Sequence, residues 1–180
     1  MSLTLRPATP ADVPAILALI RELAEYEREP QAAVATEAML HEALFGRGQG
    51  YGGDGRGRTC EAIMADWRDS GAAADRGGAR VVGFALFFTN FSTWLGRAGI
   101  YLEDLYVRPD FRRRGLARKL LSTLAAECET NGYTRLSWAV LNWNVNAIAL
   151  YDAVGGKPQS EWTTYRVSGP ELAALAARRS

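Results

Sequence analysis

The stretch Tyr101-Leu102-Glu103-Asp104-Leu105-Tyr106-Val107-Arg108-Pro109-Asp110-Phe111-Arg112-Arg113-Arg114-Gly115-Leu116-Ala117-Arg118-Lys119-Leu120 decides how the chain is read. It opens within an apolar strand, Gly99 to Val107, which ends at Pro109 because proline cannot donate to a ladder. Arg108 to Gly115 is a basic loop with three consecutive arginines. Beyond it, Leu116, Leu120, Leu121, Leu124 and Cys128 recur at helical spacing, so an amphipathic helix follows. Gly115 and Ala117 in its first turn are small enough to let a ligand approach the main chain. Free amides at a helix N-terminus, the positive end of the dipole, favour phosphate. Flanking arginines add charge and bidentate donors. The composite describes a pyrophosphate site.

Three other readings compete for the same loop. A solvated basic run is the plain one. A nucleic-acid patch lacks aromatic interleaving and a wider basic face. A Walker-type nucleotide site lacks its Gly-Lys-Ser/Thr ending. The position of the loop, between an apolar strand and an amphipathic helix, favours pyrophosphate.

Upstream, Leu3 to Arg6 alternates and is stopped by Pro7, which predicts an edge strand. Thr9 is placed as an N-cap with Pro10 behind it, and Val13, Ile16, Leu17, Ile20, Leu23 and Ala24 follow at helical spacing to about Tyr26-Glu27. A second helix is expected from near Thr36 to Phe45-Gly46. Gly46 to Arg58 is rich in glycine and reads as a mobile loop; a phosphate cradle there lacks a preceding strand and a following helix. Thr59 to Trp67, Arg80 to Phe91 and Gly99 to Val107 predict three strands of an antiparallel meander, with a polar connection over Arg68 to Ala79 and a hairpin over Ser92 to Ala98.

Downstream, Asn131-Gly132 ends the helix. Tyr133 to Val140 predicts a strand, Val145 to Val154 a helix closed by Gly155-Gly156, Lys157 to Val167 an extended stretch, and Pro170 to Arg179 a short helix. The order is mixed α/β in one domain over residues 1–180.

Bulk properties exclude several classes of function. The formal net charge is +1, so no global field recruits nucleic acid or a membrane surface. No apolar run approaches the ~20 residues that span a bilayer. Cys60 and Cys128 have no metal-ligand spacing and form no disulfide framework, and they read as small buried hydrophobes. His41 is the one histidine and sits in an early helix, which leaves zinc chemistry and a Ser-His-Asp triad unsupported. No metal is implied. The absence of a signal-peptide pattern and of a cysteine framework points to a cytoplasmic protein.

Arg112-x-x-Gly115-x-Ala117 resembles the Q/R-x-x-G-x-G/A signature of GNAT acetyltransferases. Further stretches are similar to the spermidine/spermine (diamine) and thialysine N-acetyltransferase family: Leu5 to Thr9, Glu22 to Glu27, Val82 to Ala85, Tyr101 to Asp104, Trp143-Asn144, and Tyr151 with Gly155. The resemblance covers essentially the whole chain. It implies the acyl-CoA N-acyltransferase fold, a mixed, mostly antiparallel central sheet flanked by helices, with acetyl-CoA in a V-shaped opening between splayed central strands. It also implies a homodimer.

The reaction implied is direct transfer of the acetyl group from acetyl-CoA to a primary amine in a ternary complex. An aliphatic ammonium has a pKa near ~10.4, so it must lose a proton first, and a nearby carboxylate serves that end. The resemblance places that base at Glu103, with Asp104 as an accessory binder. Asp104 falls on the opposite face of an ideal strand, and a bulge, usual in the superfamily, would alter that facing. It further implies that main-chain groups of Leu105, Tyr106 and Val107 pair with the pantetheine arm, and that Arg112, Arg113, Arg114, Gly115, Leu116, Ala117 and Arg118 hold the pyrophosphate. Asn144 and Ala147 join the cofactor site, Tyr151 is the general acid, and Tyr26-Glu27 contact the acceptor. Two departures bear on the acceptor. The acidic residue the family carries before a C-terminal Trp-Arg pair falls here at Thr163, near Glu161, and the segment from Gly46 to Arg80 is longer and richer in glycine. Another amine (an amino acid, an aminoglycoside-like compound or a protein N-terminus) and a CoA-binding module without turnover are the alternatives.

Overall fold

The computed structural model describes residues 1–46, 59–70 and 78–179. The glycine-rich loop expected over Gly46–Arg58 and most of the connection over Arg68–Ala79 lie outside the described residues. Two compact units divide the chain, Met1–Leu141 and Asn142–Ser180.

The first unit is built on a five-stranded sheet in sequential order: β1 (Ser2–Pro7), β2 (Glu61–Arg68), β3 (Arg80–Ser92), β4 (Arg97–Val107) and β5 (Leu136–Trp138). β1 to β4 are antiparallel neighbours, so the expected meander forms, with β1 on the edge where Pro7 placed it. β5 alone is parallel, pairing Ile100–Leu102 with Leu136–Trp138. A parallel neighbour requires a crossover, and the helix α3 (Leu116–Thr130) supplies it.

Residues that alternate along a strand cover opposite faces. On one face, Ala62, Met64, Phe84, Leu86 and Tyr106 form a core with Val13, Ile16, Leu17 and Leu19 of α1 (Val13–Tyr26) and Leu40 and Leu44 of α2 (Glu37–Phe45). The alternate residues Ala85, Phe87, Ile100 and Leu102 are buried too. The α3 stripe expected from the sequence, Leu116, Leu120, Leu121, Leu124 and Cys128, is buried throughout, and α3 packs on β4. Cys60 and Cys128 are free and buried, as their composition implied.

Local signals set the helix ends. Before α1, Asp12 Oδ2 accepts from the Thr9 main-chain N–H and hydroxyl at 2.7 Å, and Pro10 stands at the first turn. Arg6 joins this knot: its guanidinium reaches Asp12 at 2.6 and 2.8 Å and Asp66 on β2 at 2.6 Å. Thr36 Oγ1 caps α2 by accepting from Met39 N–H at 3.3 Å.

β5 is shorter than the Tyr133–Val140 strand read from the sequence, because its pairing with β4 stops at Leu102. β4 runs on to Val107, so one side of Glu103–Val107 has no strand partner among the described residues.

The second unit holds α4 (Val145–Ala153) and α5 (Gly169–Ala177). Gly155, at φ 88°, closes α4, and Gly156 N–H returns to the Tyr151 carbonyl at 2.9 Å. The extended stretch expected over 157–167 forms no strand. It finds no ladder partner among the described residues, and its Trp162 and Tyr165 are exposed.

Candidate active site

The register of β3 against β4 steps between Leu86 and Phe87: Leu86 faces Asp104, and Phe87 faces Leu102. Glu103 is the extra residue, a bulge on β4. Residues opposite one another across a ladder share a face. Leu102 therefore lies with Phe87, while Asp104 joins Leu86 and Tyr106 on the α1–α2 face. In an unbroken strand Leu102 and Asp104 would share a face.

The bulge gathers carboxylates. Burial pushes the Asp104 carboxyl up to about 6, and the negative charges of Glu103 and then Glu27 push the same way. Burial raises Glu27 as well. Glu27 caps the C-terminus of α1, where its N–H returns to the Leu23 carbonyl at 2.8 Å. Arg28 follows at φ 67°, a left-handed conformation that stops the helix. Of the residues that the resemblance assigned to the acceptor, Glu27, Glu103 and Asp104 are thus close enough for the first two to raise the third. Tyr26, the fourth, ends α1, next to Glu27.

A link invisible to sequence spacing fixes α1 against β4. Arg108 Nε lies 3.1 Å from both Glu22 oxygens, its Nη2 lies 2.8 Å from Glu22 Oε1, and its Nη1 donates to the Val81 carbonyl at 3.0 Å. Tyr106 shares Glu22, and burial followed by that acidic neighbour raises its phenol.

The basic loop leaves β4 through a turn at Pro109–Phe111, with Phe111 buried. Arg113 has φ 59° and Gly115, the N-cap of α3, has φ 79°. Left-handed residues so close together curl main-chain N–H groups into an anion-binding concavity. Gly115 offers no side-chain cap. The N–H groups of Leu116, Ala117 and Arg118 have no acceptor within the helix, as helix geometry dictates. The Leu116 side chain is buried in the core, so its main chain is what it can present to a ligand.

The arginines divide their work. Arg113 and Arg118 are exposed. Arg114 stacks on Trp67 and Phe111, 5.1 and 5.4 Å from the ring centroids, and its Nη2 donates to the Asp110 carbonyl at 3.1 Å. Arg80 covers Phe111 at 5.2 Å and pairs with Asp69 at 2.9 Å. Arg112 donates from Nε to the Val107 carbonyl at 2.9 Å and lies 4.7 Å from the Tyr26 ring.

In the second unit, Asn144 is the N-cap of α4, and its Oδ1 accepts from Ala147 N–H at 3.2 Å. Asn144, Ala147 and Tyr151 are spaced by three and seven residues, which aligns them on one helix face. Among the described residues no group of three or more His, Cys, Asp or Glu is arranged to hold a metal ion. No described helix is long and apolar enough to cross a membrane.

The first unit thus holds a half-open edge on β4, free amides at the start of α3, and carboxylates around the β4 bulge. The acetyltransferase (GNAT) family matches residues 41–155, and the chain belongs to that family. It is 34% identical to the thialysine N-epsilon-acetyltransferase of Bos taurus, over 97% of each chain. It is 31% identical to an L-ornithine N5-acetyltransferase of Arabidopsis thaliana, over 95% of this chain and 86% of that one. An integron cassette protein from the mobile metagenome of V. cholerae shares the fold, with a TM-score of 0.71 over 98% of each chain at 23% identity. The chain is an acyl-transferring enzyme of the mixed α/β acetyltransferase fold.

Proposed function

We propose that this chain, acting as one domain over residues 1–180, acetylates a primary amine of a small cationic acceptor of the polyamine, diamine or thialysine class, with acetyl-CoA as donor. The observation that carries the reading is the convergence of Glu27, Glu103 and Asp104 at the open end of β4. Clustered carboxylates attract a cation, and one whose proton affinity is raised toward neutrality also serves as a base. The relatives named for thialysine and ornithine act on amines of this kind.

The residues present suit the donor. Acetyl-CoA, when bound, supplies the acetyl group as a thioester. Amides of Leu116, Ala117 and Arg118, with the Arg113 guanidinium, hold its phosphates. Leu105 and Tyr106 offer main-chain groups on the unpaired edge to the pantetheine arm, and an amide there polarises the thioester carbonyl. Asn144 and Ala147 orient the arm.

The amine binds as a cation against Glu27 and Glu103, and Glu103 takes its proton directly or through water. Burial raises the proton affinity of the adjoining Asp104, which suits it to take that proton on. The Tyr151 hydroxyl protonates the departing sulfur. The nitrogen gives up two protons: the first passes to the carboxylates and on to solvent, and the second leaves to solvent as the C–N bond forms and the C–S bond breaks. Tyr151 gives one to sulfur and regains one from solvent, so one proton is released per turnover. Transfer is direct, with no acyl-enzyme. Burial, and then the charges of Glu61, Asp104 and Glu103, push the Cys60 thiol up to about 11, which makes it a poor nucleophile. The reading includes a homodimer, supported by exposed Trp162, Tyr165, Leu172 and Leu175 in the second unit, and a cytoplasmic address, supported by two free buried thiols.

The test is thiol release from acetyl-CoA with spermidine, spermine, short diamines, thialysine, ornithine and neutral amino acids. Turnover should favour the cationic acceptors. It should fall in Tyr151→Phe and Glu103→Gln with acetyl-CoA binding kept. Acetyl-CoA binding without turnover on any amine would make the chain a binding module and overturn the proposal.

A further inference from the structure

Arg112 occupies an unusual place for the first arginine of a phosphate loop. Its main-chain N–H is taken by the Pro109 carbonyl at 3.1 Å, and its Nε by the Val107 carbonyl at 2.9 Å. Its guanidinium carbon lies 4.7 Å from the Tyr26 ring centroid and 5.6 Å from that of Tyr106. The cation is thus held between an aromatic of α1 and an aromatic of β4. Tyr106 is itself anchored to Glu22, which Arg108 grips.

Both ends of this contact are mechanically connected to something else. On the loop side, Arg112 precedes left-handed Arg113 and stands three residues before the Gly115 cap of α3. On the helix side, Tyr26 and Glu27 share a tightly closed turn. Glu27 N–H returns to Leu23 at 2.8 Å, Arg28 N–H to Glu25 at 3.1 Å and Glu29 N–H to Ala24 at 2.9 Å. That turn fixes the main chain from which both the Tyr26 ring and the Glu27 carboxylate project.

We infer that Arg112 is a positioning residue whose guanidinium, seated on the Tyr26 ring, couples the phosphate loop to the carboxylate wall that takes the amine. The inference rests on the proposed reading for the identity of the two ligands. It adds that filling one site orders the other. Linkage makes the ligand coupling reciprocal: bound amine changes the affinity for acetyl-CoA by the factor by which acetyl-CoA changes that for the amine. The shared contact also ties Tyr26 to acetyl-CoA affinity and Arg112 to amine affinity. A cation held over an aromatic ring is worth roughly a threefold to tenfold change in a binding constant.

The test measures the acetyl-CoA Kd by calorimetry, without any amine, in wild type, Tyr26→Phe, Tyr26→Leu, Arg112→Gln and the Tyr26→Leu/Arg112→Gln double variant. Thermal melts confirm folding. Tyr26→Leu should weaken acetyl-CoA roughly threefold to tenfold. Tyr26→Phe, which keeps the ring face, should match wild type. The double variant should be no weaker than Arg112→Gln alone, because the shared contact is lost once. In turnover at saturating acetyl-CoA, Arg112→Gln should raise the amine KM by a similar factor and by more than it changes kcat, and Arg112→Lys should restore part of it. Unchanged acetyl-CoA affinity in Tyr26→Leu, or additive losses in the double variant, overturns the coupling. A wild-type protein that binds acetyl-CoA but acetylates no amine overturns the functional reading instead and leaves the calorimetric arm intact. Should Tyr26→Leu fail to fold, the Arg112→Gln and Arg112→Lys amine KM values decide: no rise in Arg112→Gln sinks the inference.

Discussion

Asp104 stands opposite Leu86 in the ladder, although Leu102, two residues before it, stands opposite Phe87. The single looped-out residue between them, Glu103, turns Asp104 from the α3 face to the face that carries Tyr106 and the end of α1. There its carboxyl meets burial and the charges of Glu103 and Glu27, and its pKa climbs from 3.8 to about 6.

Under the proposed function, this environment gives Asp104 a part in activity at a cost in stability. Activity that needs the ionised carboxylate should fall as pH drops through about 6. Under the proposed function, in which Asp104 assists the base Glu103, Asp104→Asn should lower kcat/KM by up to about a hundredfold and flatten that limb of the pH profile. The stability effect has the opposite sign. Folding favours the protonated form, so stability is lost as pH rises between 3.8 and about 6. Asp104→Asn, neutral at every pH, should therefore be more resistant to urea than wild type at pH 8 and comparable to it at pH 4. Parallel rate and urea series at those pH values check both signs.

The knot at the start of the chain makes a prediction with the reverse slope. Arg6 bridges Asp12 and Asp66, each at 2.6 Å. The Arg6 guanidinium, helped by the Thr9 N–H and hydroxyl, holds the Asp12 carboxyl well below the usual carboxylate range against the opposing effect of burial. Here folding favours the charged form. The contribution is complete above 3.8 and is lost as pH falls below it. Arg6→Ala leaves Asp12 and Asp66 uncompensated and should cost about 2–4 kcal/mol at pH 7, somewhat less than a fully buried pair because Arg6 is partly exposed. Arg6→Lys should recover only part of this, since an ammonium cannot fork between two carboxylates. Urea melts at pH 7 and pH 3 should show the difference between wild type and Arg6→Ala shrinking in acid.

What was legible in the sequence is what local chemistry dictates. Pro7 placed an edge strand, Thr9-Pro10 a helix start, and Arg112 to Ala117 the entry to α3, each within a few residues of its cause. Tyr26, Glu27, Glu103 and Asp104 come to the proposed acceptor site through the family resemblance, which does not say which carboxyl is perturbed. The family resemblance raises a bulge in this strand, but the Glu-Asp doublet between apolar residues does not say where it falls, because the step belongs to the register with β3. The Glu22–Arg108 pair spans 86 positions, and no periodicity announces it. The strand over Tyr133–Val140 was read too long for a similar reason: residues with strand character extend only as far as a neighbour remains to pair with.

The arginine triplet carries the last prediction, because its members look interchangeable in sequence and are not in the fold. Arg113 and Arg114 are both exposed, but the Arg114 guanidinium is engaged by Trp67, Phe111 and the Asp110 carbonyl. Only a guanidinium free to meet a phosphate contributes an ion pair that salt screens. Arg113→Ala should therefore weaken acetyl-CoA roughly threefold to thirtyfold at low ionic strength, and the deficit should shrink as salt is added. Arg114→Ala should weaken acetyl-CoA less and lower the melting temperature by a few degrees, through about 1 kcal/mol of lost stacking. Trp67→Leu should act like Arg114→Ala and add little to it. Calorimetric Kd values at low and high salt, with melts of the same variants, separate the two roles. Equal salt-sensitive losses from Arg113→Ala and Arg114→Ala would show that Arg114 leaves its aromatic seat to serve the phosphates directly.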